Sequence, residues 1–525
     1  MALDTAGFAV QASAAGGLIS ALERWRNIVG EEFVRTDPAT LDEYSRSTLP
    51  PKYRHRPAAV VLPDSRERVR RVMETAYDTG VELHPISRGQ NWGYGAAMPP
   101  RDGMVILDLR RMNRIVEVNA ELGYAVVEPG VSQKQLADFL RENRLPYILD
   151  ATGAGPEASL VGNVLQRGFG HTPYGNRILH VSGMEVVLRN GTVVHTGFGG
   201  FPNACATYVF PYGVGPWLDG VFTQSDLGVV TRMAIWLYPR PAQITAFALK
   251  LDRPDRLYPT IDALRRLRMA GVVQSTVHVA NDLRVISARR QYPWEWTGGK
   301  VPLPAEIRQR LRRESGVGVW NLMGALYGSK AAVRAAVAEV RRAFVGLAHV
   351  HFFDDRKLRL GRVVTGALGR LGLLRGLAGT VESACSVYDL LCGIPSAEHL
   401  RGVYWRMRRP PRDLIADLGK AGGLWFSPVL PADGQYARLL LETLEPIFDK
   451  HGFEPLITMT SVTERALVGV VSVFYDAESR AETDAAAACY EELSAAAIAR
   501  GFWPYRSGVQ KPIRSPIRLS ISVDD

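Results

Sequence analysis

The stretch Pro85 to Gly95, PISRGQNWGYG, limits what this chain can fold into more than any other part of it. Gly89, Gly93 and Gly95 stand among small polar residues, directly after the strand-like approach Val81-Glu82-Leu83-His84. Glycine takes positive φ without penalty and lets a backbone come close to a ligand. Successive backbone N–H groups in such a loop form a concave anion site that suits a pyrophosphate. The spacing is neither GxGxxG nor the GxxxxGK of a P-loop, which removes two common nucleotide-binding strings. Taken alone, the loop is compatible with a simple turn as well as with a ligand cradle.

A chain of 525 residues exceeds what one hydrophobic core sustains, so two or three domains are expected. Apolar content of 46% and charged content of 22% suit a soluble globular protein. The net charge of +10 is scattered, and the Arg-rich runs 308–313 and 401–412 are interrupted by apolar residues. They read as solvated helix faces, and no nucleic-acid motif accompanies them. Cys205, Cys385, Cys392 and Cys489 lack CxxC spacing. That pattern argues against a zinc site, a c-type haem and a disulfide framework, no metal is expected, and it fits a reducing cytosol. The Ala/Gly-rich start lacks the continuous apolar core of a signal peptide, and no window reaches the length of a membrane span. A soluble cytoplasmic protein is expected.

Taken in order, residues 17–29 read as an amphipathic helix, with Leu18, Leu22 and Trp25 at helical spacing. Residues 56–63 contain a buried strand, and Asp64 or Ser65 can cap the helix that runs through Ala76. Residues 104–109 and 125–128 are further strands, and Ser132 caps a helix through Asn143. A second glycine-rich region, Gly153 to Gly175, has a helical centre over 158–166. Glu185 to His195 reads as a hairpin, with Asn190-Gly191 supplying the two positive-φ positions of a type I′ turn. A third glycine-containing segment, Gly220 to Thr231, leads into a strand over 233–238, and Pro239 and Pro241 mark a boundary. Beyond it, strands over 246–251, 274–279 and 317–322 alternate with helices over 257–269 and 329–345. That is the pattern of an α+β module with helices on one face of a mainly antiparallel sheet. Residues 352–412 read as irregular, basic connections, and 481–500 as a long Ala-rich helix.

Three segments in order, PISRGQNWGYG, VGNVLQRGFGHTPYG and YGVGPWLDGVFTQSDLGVVT, with Pro504-Tyr505-Arg506 near the C-terminus, resemble one family. It is the vanillyl-alcohol oxidase and 4-cresol dehydrogenase (p-cresol methylhydroxylase) branch of the FAD-linked oxidases. The resemblance implies an α+β, two-domain protein. Residues 1–241 would form the FAD-binding domain and 242–495 the cap over substrate, with 496–525 returning to the FAD domain. Pro85, Ile86, Ser87, Arg88, Gly89, Gln90, Asn91, Gly93, Tyr94 and Gly95 would wrap the pyrophosphate. Gly162, Asn163, Arg167, Gly168, His171, Tyr174 and Gly175 would line the dinucleotide, with Gly228, Val229 and Val230 near its adenine or ribitol side. Tyr94, Tyr505 and Arg506 match the trio that holds a phenol oxygen in relatives. A phenol has a pKa near 10, so holding it as phenolate needs a fixed cation and donors in a dry site. The implied activity is oxidation of the benzylic carbon of a 4-alkylphenol, with oxygen or a redox protein as acceptor, in a homodimer.

Some positions depart from the family pattern. No His or Tyr stands in Gly422-Gly423-Leu424-Trp425, where some relatives tether the flavin, so a dissociable FAD is expected. His351 and His399 read as ordinary surface histidines. The acid near flavin N5 is missing, with Asp150 and Glu157 as weak substitutes, and His171 replaces a tyrosine and could act as a base. The chain's end at Asp525 implies a shorter C-terminal covering than in relatives. Two other readings stay open: oxidation of a non-phenolic alcohol or hydroxy acid, and a flavin-free scaffold that kept the fold.

Overall fold

Apolar β-branched runs flank the first glycine-rich stretch. In a computed structural model of the protein, which describes residues 5–370 and 375–510, they form a sheet that ends at it. Its order is Val34–Arg35, Ala59–Val61, Val105–Asp108, Leu83–Ile86, and the last three strands run parallel. The helix Arg66–Thr79 makes the crossover, burying Val69, Val72 and Met73 against the strands, and Trp25 and Val29 of the helix Thr5–Val29 complete that core. Ser65 occupies the cap position of the crossover helix without a side-chain cap bond.

A five-stranded antiparallel sheet follows, ordered Ile115–Asn119, Tyr124–Val127, Gly228–Trp236, Val181–Leu188, Val193–His195. Ser132 caps the helix Gln133–Glu142 by accepting from the Gln135 N–H at 3.1 Å. The hairpin between Val181–Leu188 and Val193–His195 forms, but its turn is not type I′. Gly191 has φ 83° while Asn190 does not enter the positive-φ region, and the Gly191 N–H donates to the Leu188 carbonyl at 2.9 Å. A turn centred on Arg189 and Asn190, followed by a left-handed glycine, gives the longer loop with a bulge instead. The strand expected from residue 233 begins at Gly228, because Val229 and Val230 each face a hydrophobic cluster and extend the alternation backwards.

The sheet changes between Tyr238–Pro239, which pairs with Tyr147–Ile148, and Gln243–Leu251. From there an eight-stranded antiparallel sheet is built, with Gln243–Leu251, Trp320–Gly328, His278–Asn281, Leu456–Thr460, Ala466–Tyr475 and Gly422–Phe426 as successive neighbours. Helices Leu257–Met269, Lys330–Ala343, Gly434–His451 and Arg480–Ala499 place Leu264, Val340, Phe448 and Leu493 in one core with Phe247, Leu322 and Val471 of the strands. Residues 352–412 are not irregular. They contain the helices Asp355–Arg370 and Arg375–Leu391. Frequent Arg and Gly mask the pattern, yet Val381, Ala384, Cys385, Tyr388 and Leu391 recur at helical spacing and pack on Ala246, Ala325 and Tyr327. Among the described residues, no helix is long and apolar enough to cross a membrane.

Candidate active site

The strand Leu83–Ile86 delivers the glycine loop. Ile86 is buried with Leu41 and Tyr44, and Pro85 is exposed, so both serve the strand end. Ser87 to Trp92 stay half-buried, whereas Gly93 to Gly95 are fully buried. A side chain at Gly93, where φ is 71°, would meet the Trp425 ring at 1.5 Å, and one at Gly95, where φ is 122°, would meet Val509 at 2.6 Å. Those two glycines are needed because protein packs on them. The open part of the loop is Ser87 to Asn91, where Gly89 has φ 66° and the Gln90 carboxamide oxygen is buried without a hydrogen-bond partner among the described residues.

The second glycine-rich region packs on the first. Arg88 donates to the Glu157 carbonyl at 2.7 Å, the Glu157 carboxylate at 2.6 Å and the Gly130 carbonyl at 3.1 Å. Ser159 caps the helix Leu160–Leu165, and a side chain at Gly162 would lie 3.0 Å from the Ser87 hydroxyl. Asn163 accepts from Arg177 at 3.0 Å and lies against Gly168, while Arg167 donates to Thr223 at 3.1 Å. Gly175 closes a turn by donating to the Thr172 carbonyl at 3.0 Å, and Tyr174 stacks on His180 at 3.9 Å. Gly228, Val229 and Val230 lie in the strand, with both valine side chains committed to cores. Asp150 is bound by Thr172 and by Arg177 at 2.7 Å, and Glu157 by Arg88. Each carboxylate is held by an arginine partner, an arrangement that maintains the loops.

Tyr94, Tyr505 and Arg506 come together although the first lies far from the others in sequence. Gly501, with φ 86°, ends the helix Arg480–Ala499 and turns the chain back. The returning segment is held on two sides. On the cap side, the Val429 N–H donates to the Trp503 carbonyl at 2.8 Å and the Tyr505 N–H to the Ser427 carbonyl at 3.1 Å. On the loop side, the Val509 N–H donates to the Tyr94 carbonyl at 3.0 Å. The Arg506 guanidinium sits 3.8 Å over the Tyr94 ring and 5.3 Å from the Tyr505 ring. Its Nη1 makes a long contact to the Gln166 carbonyl at 3.5 Å, its Nε is buried without a partner, and no described carboxylate pairs with it. Burial alone would pull this guanidinium's pKa down, but the facing Tyr505 and Tyr94 hydroxyls hold it above the usual arginine range. Burial also pushes the Tyr505 hydroxyl well up, so it stays a proton donor. Tyr94 shares a 2.7 Å hydrogen bond with Ser427, a residue the sequence did not single out. Phe169 packs on Tyr505 at 5.8 Å.

His399 is not a surface histidine. Together with His171 and His278 it forms an aromatic cluster between loop and cap: His171 lies 4.5 Å from His278 and 6.4 Å from His399, ring to ring. Burial is the first cause holding all three below the ordinary histidine range, His399 at about 4. His171 keeps its Nδ1 3.0 Å from the Ala151 carbonyl, which fixes the proton there and leaves Nε2 as an acceptor. His351 lies exposed on the strand Val350–Phe353.

The half-buried Ser87–Asn91 segment, with its left-handed glycine and unpartnered Gln90 oxygen, fits a dinucleotide pyrophosphate. A family model described as an FAD binding domain matches residues 57–197. The chain is 36% identical over 95% of its length, and 92% of the relative, to a 1'-carboxy-chondrochloren decarboxylase of Chondromyces crocatus. It is 31% identical over 94% of its length, and 88% of the relative, to the 4-cresol dehydrogenase [hydroxylating] flavoprotein subunit of Pseudomonas putida. A solved p-cresol methylhydroxylase with substrate bound superposes with a TM-score of 0.84 at 30% identity, covering 94% of this chain and 90% of that one. The chain binds FAD, and it belongs to the p-cresol methylhydroxylase (4-cresol dehydrogenase flavoprotein) family of FAD-linked oxidoreductases.

Proposed function

We propose that the protein oxidises the benzylic carbon of a para-substituted phenol. The observation that carries this is Arg506, a cation enclosed by Tyr94 and Tyr505 with no described carboxylate to neutralise it. A fixed guanidinium beside two hydroxyl donors is a site for a phenolate oxygen. FAD, when bound, would supply the two-electron sink for the hydride that the substrate gives up. The chain's own part is to bind the phenol as phenolate, aim the para carbon and keep bulk water off the phenolate oxygen. The phenolate pushes its electron pair toward the ring as hydride leaves the benzylic carbon, and the substrate becomes a neutral para-quinone methide. Water adding to that carbon returns a phenol carrying a benzylic alcohol. No strong side-chain base is required, in keeping with Asp150 and Glu157 being held by arginines.

Gly422 to Trp425 lie in a strand and include neither His nor Tyr, which supports a flavin bound without a covalent link. Acid precipitation should then leave the yellow colour in the supernatant; colour retained by the pellet would overturn this point. Oxygen or a redox protein serves as acceptor. The para substituent is open to more than one chemistry, since one relative is named for a decarboxylation and another for hydroxylation of a cresol. Turnover of a 4-alkylphenol in oxygen-18 water tests the route. Label in the product hydroxyl is expected, and oxygen drawn from dioxygen instead would defeat it.

A further inference from the structure

We propose that Arg284, together with His278 and His399, forms a subsite that binds a carboxylate on the para side chain of the substrate. This proposal rests on the phenol reading above.

Arg284 opens from the short helix Asp282–Ser287, six residues after His278 on the neighbouring strand. Its side chain has no hydrogen bond to, and no ion pair with, any described residue. Other enclosed arginines contrast with it. Arg406 pairs with Glu454 at 3.0 Å, Arg177 with Asp150 at 2.7 Å and Arg308 with Asp282 at 2.7 Å, while Arg289 donates to the Ser315 carbonyl at 3.0 Å. Arg284 is half-buried and faces no counter-charge among the described residues, and a cation so placed is readily completed by an anion. Burial pulls the Arg284 guanidinium below the usual arginine range, with no neighbouring acid to hold it up.

Room has been made for the group. A side chain at Gly402 would lie 2.7 Å from Arg284 Nη1, so the guanidinium rests on bare backbone three residues after His399. Burial first, then the neighbouring His171, and Arg284 after them, disfavour protonation of both His278 and His399. With the imidazoles neutral, the cluster carries one positive charge, matched to a monoanion such as a carboxylate rather than to a phosphate dianion. His278 adds a donor. The Thr460 hydroxyl, 3.0 Å from Nδ1, can donate to it, which leaves Nε2–H buried without a described partner. His399 keeps its Nε2 3.3 Å from the Ser386 hydroxyl.

The position relative to the clamp supports one ligand spanning both. Phe169 packs on Tyr505 and His171 packs on His278, and these two residues are separated by a single residue. Two residues of chain span at most roughly 7 Å. In the proposed complex, a phenol held at Arg506 extends its para side chain past Phe169 and His171 toward the histidines and Arg284.

The test is calorimetric titration of the FAD-loaded protein with 4-hydroxycinnamate, which has no benzylic hydride to lose, and with its neutral amide and its O-methyl ether. The parent should bind the acid more tightly than the amide by on the order of ten- to a hundredfold, the range of a charge-assisted hydrogen-bonded pair. Arg284→Gln should remove that preference, and Arg284→Lys should keep part of it. Arg506→Gln should weaken acid and amide alike and leave their ratio unchanged. Equal binding of acid and amide by the parent, or a ratio that survives Arg284→Gln, would overturn the subsite. Loss of bound flavin in both Arg284 variants would overturn it too, by assigning the residue to the cofactor. The O-methyl ether separates the two claims: if it binds like the free phenol, the clamp reading fails, whatever the acid-to-amide ratio.

Discussion

The proposed function turns on Arg506. Its charge is compensated by no described acid, its Nε is left unbonded, and two tyrosine rings face it. Replacing it with Ala removes the fixed cation at the proposed phenolate site, and losing one preorganised group of this kind costs on the order of a hundredfold or more in rate. Tyr505→Phe should cost less because the cation stays. The measurement is the rate constant of anaerobic flavin reduction by a 4-alkylphenol; a parent-like constant for Arg506→Ala would show that the trio is not the site. That the trio meets was legible through the family resemblance, which matched Tyr94 in the glycine loop and Tyr505-Arg506 after Pro504. Ser427, His278, His399 and Arg284 were not. Each lies in a local run with no distinguishing pattern, and each gains meaning only from neighbours brought in by the tertiary fold.

At the scale of elements, the strands and helices with strong periodicity were legible, such as Leu257–Met269 and the buried run Ala59–Val61. The misses have physical causes. The Asn190-Gly191 pair suits a two-residue turn, yet the register of Val187 opposite Val193 demands a longer loop, and register wins over local preference. The helices Asp355–Arg370 and Arg375–Leu391 were hidden by arginine and glycine that leave only a narrow apolar stripe. The glycine loop was recognised, but the reason for two of its glycines was not, since Trp425 and Val509 arrive from distant segments. Gly93→Ala therefore adds a left-handed alanine, costing about 1–2 kcal/mol, to a clash with the Trp425 ring, costing about 1–3 kcal/mol. A lower Tm and a reduced flavin content are expected in thermal unfolding. An unchanged Tm would mean that the loop and the Gly422–Phe426 strand do not pack as described.

Across the whole molecule, buried neutral histidines tie stability to pH. His84, His180 and His399 are each depressed by burial to about 4, and His171 and His278 are depressed as well. The unfolded chain takes up these protons near pH 6.5, whereas the fold resists them. Below about 6.5 the unfolded state binds more protons, so the stability these groups confer is full above that pH and is lost as the pH falls toward about 4. Tm should fall between pH 7 and pH 5, before the carboxylates titrate, and His399→Gln should reduce the slope; a flat or rising Tm over that interval would contradict the buried assignment.

In the proposed reaction a phenolate held by Arg506, Tyr94 and Tyr505 is what gives up its benzylic hydride. Anaerobic rapid mixing of the FAD-loaded protein with 4-ethylphenol and with 3-(4-hydroxyphenyl)propanoate, each beside its O-methyl ether, tests it most directly. Bleaching of the oxidised flavin by a free phenol and none by its ether is the expected result. Bleaching by ether and phenol at the same rate, or by neither phenol, would contradict the account.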